Sequence, residues 1–514
     1  MAFDPQGLPS VDEIWQWHEW LAQNGPRYTG SPNHQKFTDW LQQQFDAVPD
    51  FDLRVERMKF QRWLADYWSL SIAQDPTVGP SGPVPVSYYF PYSGMTGPSG
   101  ISGTLVDLGD YIPALYTPQF WQRAAGAIAL VRVPPCTFSF DVGQIPTGAF
   151  EPNQASLLTV AGFELSDFLV TNPVFQGMLA PVPLLDARKA NVLGVICAWT
   201  GMSDDLVANQ YNPFTSKYPN ASGLPEPGDT GCPALWVGDT TGRSLAHYAQ
   251  VGTPTVTLKL TATITKDATT DTIWGVLPGS GTDHERGLIV NTHTDGPSVP
   301  EDNGALGLLA LAKYFANPRP RRHDLYFVMA TGHFQLPQFM KTISERPVAG
   351  NDAISWWMRN YPDIYSKALA GLTMEHLGCK RWADDINGQY VDTGGFDWGV
   401  TYTTQRLGSS NPSNLEQQAY LEAVAATNAA GAVAHPVVTM LPLPLFFGEG
   451  APLYAGGLGT VSLCPAPSYL LQAGSRTNPQ LLNLDKLDKQ LIYGQIQSFA
   501  RTIETLDGQP AEAF

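Results

Sequence analysis

Four stretches of the sequence carry side chains that bind cations or move protons. "RGLIVNTHTD" ends in His293 and Asp295, and the loop after it contributes Glu301, Asp302 and Asn303. "ATGHFQ" carries His333 and Gln335, and "TMEHLG" carries Glu375 and His376. Imidazoles and carboxylates that converge from separate segments suit a hard or borderline divalent metal. Histidine also titrates near neutrality, so His333 is open to three roles: ligand, acid/base, or plain polar residue. Each residue alone has an ordinary explanation. Asp302 fits a helix N-cap, and Glu375 fits an ion pair with an arginine. Their coincidence at successive segment ends carries the functional reading.

Those segments need a scaffold that brings their ends together. From about residue 268 the pattern alternates strand and helix. The strands are "RGLIVNTHTD", "HDLYFVMATG", "ALAGLTMEHLG" and "LGTVSLCPA". Between the first two lies "NGALGLLALAKYFA", apolar nearly all round as a buried helix requires, and the chain closes on the amphipathic "LDKLDKQLIYGQIQSFARTIETL". Alternation of this kind predicts an α/β fold with a doubly wound, mixed but mostly parallel sheet, whose functional groups gather at the carboxyl ends of the strands. Residues 11–48 read as two helices joined by "GPRYTGSP". Residues 76–103 are dense in Pro and Gly and mark a boundary. Beyond it, short β-like runs such as "AAGAIALVRV", "VLGVICAW" and "TPTVTLKLTATIT" predict a β-rich insert. The expected division is 1–80 and 266–514 as the main domain, with 81–265 inserted.

Composition narrows the functions. The 514 residues carry a net charge of −17, which disfavours nucleic acid and anionic membrane surfaces as partners. No run of about eighteen apolar residues spans a bilayer. The start, "MAFDPQGLPSVDEIWQWHEW", lacks the basic and apolar regions of a secretion signal, so a cytoplasmic location is expected. Cys136, Cys197, Cys232, Cys379 and Cys464 are odd in number and scattered, unlike a disulfide framework or a structural zinc site. A homo-oligomer is compatible with all of this.

The stretch "GLIVNTHTDGPSVPEDNGALGLLALAKYF" resembles the core of the zinc aminopeptidase and glutamate carboxypeptidase family of co-catalytic metallopeptidases, with its His-x-Asp, loop and Asp-Asn-Gly before an apolar helix. "NGPRYTGSPNHQKFTDWLQQQF" is similar to that family's Gly-x-Arg-x-x-Gly-Ser segment. The insert resembles the protease-associated (PA) domain of many members. The resemblance implies the phosphorylase/hydrolase-like zinc peptidase fold. It implies a first metal on His293, Asp302 and Glu375, with Asp295 orienting the His293 ring. It also implies that the second metal is lost. His333 and Phe334 stand where the family has its glutamate base and a glutamate ligand. Tyr469 and Leu470 stand near its last histidine, and Glu449 and Gly450 replace an Asp-His pair.

The expectation is a mononuclear metal-dependent enzyme that hydrolyses an amide, peptide or related small molecule with metal-activated water. His333 is its acid/base, and Gln335, His376, Glu301, Glu449 and Tyr469 are supporting candidates. Zinc is the first choice of metal, with iron or manganese as alternatives. Two other readings stand beside it: a metal-dependent lyase or hydratase acting on a small apolar substrate, and a non-catalytic binding or scaffold protein. Aromatic stretches such as "WLADYWS" and "ISWWMRNYP" are candidates for a pocket wall, although core packing is the commoner role of such residues.

Overall fold

The computed structural model describes residues 3–73, 81–111, 118–134, 146–150, 172–174, 181–212, 231–316, 320–334, 353–397, 399–402, 415–432, 437–440 and 448–514. The strands of its first half are β1 (Asp52–Ile72), β2 (Gly82–Val84), β3 (Tyr88–Tyr89), β4 (Ile101–Asp110), β5 (Ile128–Val133), β6 (Pro146–Phe150), β7 (Gly194–Trp199), β8 (Ala234–Val237) and β9 (Thr255–Leu277). Those of the second half are β10 (Leu288–His293), β11 (Leu325–Ala330), β12 (Ala370–Met374), β13 (Lys380–Asp384), β14 (Tyr390–Phe396), β15 (Gly399–Tyr402), β16 (Val437–Met440) and β17 (Thr460–Leu463).

Four of these strands matter most for the site. β10 pairs in parallel with β11 on one side and β12 on the other, and β12 pairs in parallel with β17. Their carboxyl ends therefore share one edge of the sheet, as expected for a doubly wound α/β fold. Alternate residues cover both faces. Leu288 and Val290 join the large core built with the helices Gly304–Ala316 and Lys489–Asp507. Ile289, Tyr326 and Val328 pack on the opposite side against Trp274, Ile354 and Trp357. A parallel sheet buried on both faces explains why these strands read as unbroken apolar runs.

β9 is antiparallel to β11 and also to β4, so one long strand links the central sheet to the group β4, β5, β7 and β8. That group is parallel throughout and has a hydrophobic cluster of its own around Trp121, Trp199 and Trp236. Residues 265 and 266 both lie inside β9. β9 pairs with β1 over nearly its whole length, with register shifts at Phe60/Arg62 and Ala65/Tyr67. Of the aromatic stretches, Trp63 and Trp68 pack on Tyr89, and Trp357 packs on Trp274. These are core contacts.

Two capped helices hold the loop that reaches the strand ends. In Val11–Gln23 the Ser10 hydroxyl accepts the Glu13 N–H at 3.1 Å, and in Pro32–Asp46 the Ser31 hydroxyl accepts that of His34 at 3.2 Å. Between them, Arg27 pairs through its backbone with Gly296 in both directions, at 2.8 and 3.0 Å.

Candidate metal centre

His293, the last residue of β10, donates from Nδ1 to the Asp295 carbonyl at 2.9 Å. That hydrogen bond leaves Nε2 as the basic nitrogen. His376, just past β12, donates from Nδ1 to the Pro465 carbonyl at 2.6 Å, which likewise leaves Nε2 basic. Its backbone holds φ 55°, a left-handed conformation unusual outside glycine that turns the chain at the strand end. Glu301 belongs to the short helix Val299–Asp302, which opens the way into Gly304–Ala316. These three offer donor atoms within 4.8 Å of one another, and Glu375, His376 and Cys464 form a second such group.

His293, Glu301, Glu375 and His376 are all buried. His293 Nε2, His376 Nε2 and Glu301 Oε2 have no hydrogen-bond partner. Buried polar atoms without partners cost free energy, and three facing one another fit a cation. The spacing agrees. His376 Nε2 lies 3.5 Å from Glu301 Oε1 and 3.7 Å from Glu375 Oε2, and His293 Nε2 lies 3.8 Å from the same Glu375 oxygen. Metal bonds of about 2.1–2.3 Å in a tetrahedron put donors about 3.4–3.8 Å apart. The residues present therefore fit a divalent metal.

Electrostatics point the same way. Burial, and then the His333 ring, hold His293 below its ordinary pKa, which keeps it neutral as a ligand must be. Burial would also lower His376, but Glu301 and Glu375 outweigh it and raise the ring's pKa. Burial would raise Glu301, yet the His376 and His293 rings hold it down. The pocket thus favours positive charge between these carboxylates.

Glu375 is locked in place. Its Oε1 accepts the Glu449 N–H at 2.6 Å, and the Cys464 thiol donates to its Oε2 at 3.4 Å. Gly448, at φ 74°, packs where any Cβ would stand 2.6 Å from both Glu375 oxygens. Asn303 and Leu377 exchange two 2.8 Å hydrogen bonds, side-chain amide to backbone, which tie the Glu301 turn to the β12 end.

One expected ligand, Asp302, is engaged elsewhere. Asp302 does not turn to His293, because both its oxygens accept from the buried Arg27 guanidinium, from Nε and, at 3.0 Å, from Nη2. Its neighbour Glu301 takes the place beside the histidines. The Asp295 carboxylate does not steer the His293 ring either; the Asp295 carbonyl does. The carboxylate instead accepts the N–H groups of Gly332, His333 and Phe334 at 3.1–3.3 Å and the Thr29 hydroxyl. Burial would raise this carboxyl, but His34, His293 and Thr29 outweigh it and hold the pKa low.

His333 stacks on His293 with ring centroids 4.1 Å apart and planes 8° from parallel. Its Nδ1 donates to Glu449 Oε1 at 2.6 Å. Glu449 is fully buried and also accepts the N–H groups of Ala353 and Ile354, at 2.9 and 2.6 Å. Burial would raise its pKa, yet the His333 hydrogen bond and charge keep it below the ordinary value. Phe334 is buried and meets both imidazoles edge-on. Tyr469 is not brought to the cluster: it sits in the core, its hydroxyl 2.9 Å from the Lys380 carbonyl and 3.0 Å from that of Lys486. Gln335 lies outside the described residues. Cys464 and Arg27 were not singled out from sequence, though Cys464 follows the end of β17 as Glu375 and His376 follow that of β12.

No protein-family model and no curated protein matches the sequence. Solved structures do match in fold. An aminopeptidase from Aneurinibacillus sp. strain AM-1 is 14% identical with a TM-score of 0.56, over 99% of this chain and 97% of that one. A zinc aminopeptidase from Bacillus subtilis is 13% identical with a TM-score of 0.57, over 98% of each chain. A peptidase M28 precursor from Shewanella amazonensis SB2B is 14% identical with a TM-score of 0.60, over 97% of this chain and 98% of that one. At such identities the likeness is one of fold, and it extends over 97–99% of this chain.

Proposed function

We propose that the protein is a metal-dependent hydrolase of an amide, a peptide or a related small molecule. One divalent metal, zinc before iron or manganese, is held by His293, Glu301 and His376 with Glu375 beside them, and His333 is the acid/base. The observation that carries this reading is the set of three buried, unpartnered donor atoms on His293, Glu301 and His376. When bound, the metal supplies a Lewis acid that polarises a carbonyl. The chain does the rest. Glu449 fixes the His333 tautomer by taking its Nδ1 proton in a hydrogen bond, so Nε2 is the nitrogen that accepts and returns a proton. Asp295 holds the 332–334 backbone that carries His333, and Phe334 excludes water from one side of the imidazole pair.

A single metal is supported by the His333 ring stacked on His293 and by Phe334 packed against both rings, at positions where a second metal would need carboxylates. The separate cluster around Trp121, Trp199 and Trp236 supports a PA-like insert over 81–265. The expected partner is a small molecule or peptide. Among the described residues no helix is long and apolar enough to cross a membrane.

Metal analysis with and without a chelator, combined with turnover of aminoacyl amides, tests the proposal. One equivalent of metal that disappears in His293→Ala, with amide turnover that disappears with it, is the expected result. Two equivalents end the mononuclear reading. Metal-loaded protein that ignores every amide turns the choice to a lyase, and protein that binds no metal turns it to a scaffold.

A further inference from the structure

We propose that Cys464 is a thiolate ligand of this centre. It completes a mixed nitrogen, oxygen and sulfur donor set that selects a borderline metal of the zinc or cobalt kind over magnesium, calcium or manganese. The inference rests on the metal site proposed above and adds a ligand that neither the resemblance nor the sequence pattern contains.

Cys464 follows β17, the fourth of the parallel strands whose ends build the site, and is 6% exposed. Its Sγ lies 3.4 Å from Glu375 Oε2 and 3.8 Å from His376 Nδ1. Glu375, His376 and Cys464 offer donor atoms within 4.8 Å of one another, and this group shares His376 with the group formed by His293 and Glu301. The Pro465 carbonyl occupies His376 Nδ1, so the thiol meets the other donors through Glu375 Oε2, which lies 3.4 Å from Sγ, 3.7 Å from His376 Nε2 and 3.8 Å from His293 Nε2. The independent sign that something belongs there is the unpartnered His376 Nε2 and Glu301 Oε2, on residues 4% and 2% exposed. Without metal, the thiol proton is donated to Glu375. On binding, that proton leaves to solvent, the sulfur–metal bond forms, and the Glu375 oxygen is released to face the cation. Thiolate favours zinc-like ions, whereas magnesium, calcium and manganese prefer oxygen. Cys379 does not share this position, because its thiol points to the His376 carbonyl at 3.2 Å.

The test is cobalt and zinc loading of the full chain. Wild-type protein with one equivalent of cobalt should show a near-ultraviolet sulfur-to-cobalt charge-transfer band. Cys464→Ser should keep the equivalent and lose the band, Cys379→Ser should keep both, and the preference for cadmium over manganese should fall at least about tenfold in Cys464→Ser. X-ray absorption of the zinc-loaded wild type needs no variant and should show one sulfur at about 2.3 Å. One equivalent of metal bound with neither band nor sulfur scatterer overturns the thiolate and leaves the metal centre standing. No bound metal overturns both.

Discussion

His333 and Glu449 form the pair on which the acid/base assignment turns. Replacing His333 by Gln keeps a polar side chain near the Glu449 carboxylate but removes the titrating nitrogen. Turnover should drop on the order of a hundred- to ten-thousandfold with metal content unchanged; a variant of wild-type activity removes His333 from the reaction. Arg27 and Asp302 make the other decisive pair. Arg27→Met leaves a buried carboxylate without its partner and should cost about 3–5 kcal/mol in denaturant unfolding. Adding Asp302→Leu should recover much of that loss. If the double variant is no more stable than the single one, the ion pair is not what holds the loop. "PEDNG" shows where reading residues from sequence stops. Glu301 and Asp302 are adjacent on one helical turn, so their side chains diverge by about 100° and only one can face His293. Motif position favoured Asp302. Arg27, arriving from a loop more than 270 residues away in sequence, claims that carboxylate instead.

At the scale of elements, the site depends on how closely the helix Gly304–Ala316 approaches the sheet. A Cβ on Gly304 would stand 2.1 Å from the Met374 carbonyl oxygen and 2.3 Å from the Thr292 hydroxyl. Gly304→Val should therefore push the helix start outward, cost about 1–3 kcal/mol, and weaken metal binding through displaced Glu301. Equilibrium unfolding and metal titration check this together, and unchanged metal affinity would show that the helix start does not position the ligand. The strands of this region were legible because burial on both faces leaves continuous apolar runs. β1 was not. Its residues alternate irregularly between solvent and core, with Arg, Glu and Lys interleaved among aromatics, and its bulges break the two-residue period. Its identity as a strand comes from pairing with β9, which lies about 200 residues later.

At the scale of the whole molecule, two buried histidines set an acid limit on stability. His18 and His34 are each pushed down to about 4, first of all by burial. In the unfolded chain they titrate near about 6.5. Below that pH the unfolded state binds more protons, so their contribution is complete above about 6.5 and is lost as pH falls toward 4. The shift corresponds to about 3 kcal/mol for each residue. Metal-free His18→Gln protein should lose less stability than wild type between pH 7 and 4.5 in urea unfolding. Parallel pH dependences for the two proteins would show that His18 is not responsible.

Sequence alone determined four strands and two helices from "RGLIVNTHTD" onward, and with them the edge at which chemistry gathers, because period and burial are local properties of a chain; β13–β16 and the helix Leu415–Ala429 it did not show. It also named His293, Glu375, His376 and His333 among the candidates. Only the tertiary structure decided which donors meet. Arg27 removes Asp302, Glu449 captures His333, and Cys464 comes to rest against Glu375. Each of these pairings joins residues far apart along the chain, and their partners are chosen by packing and burial, which no local pattern encodes.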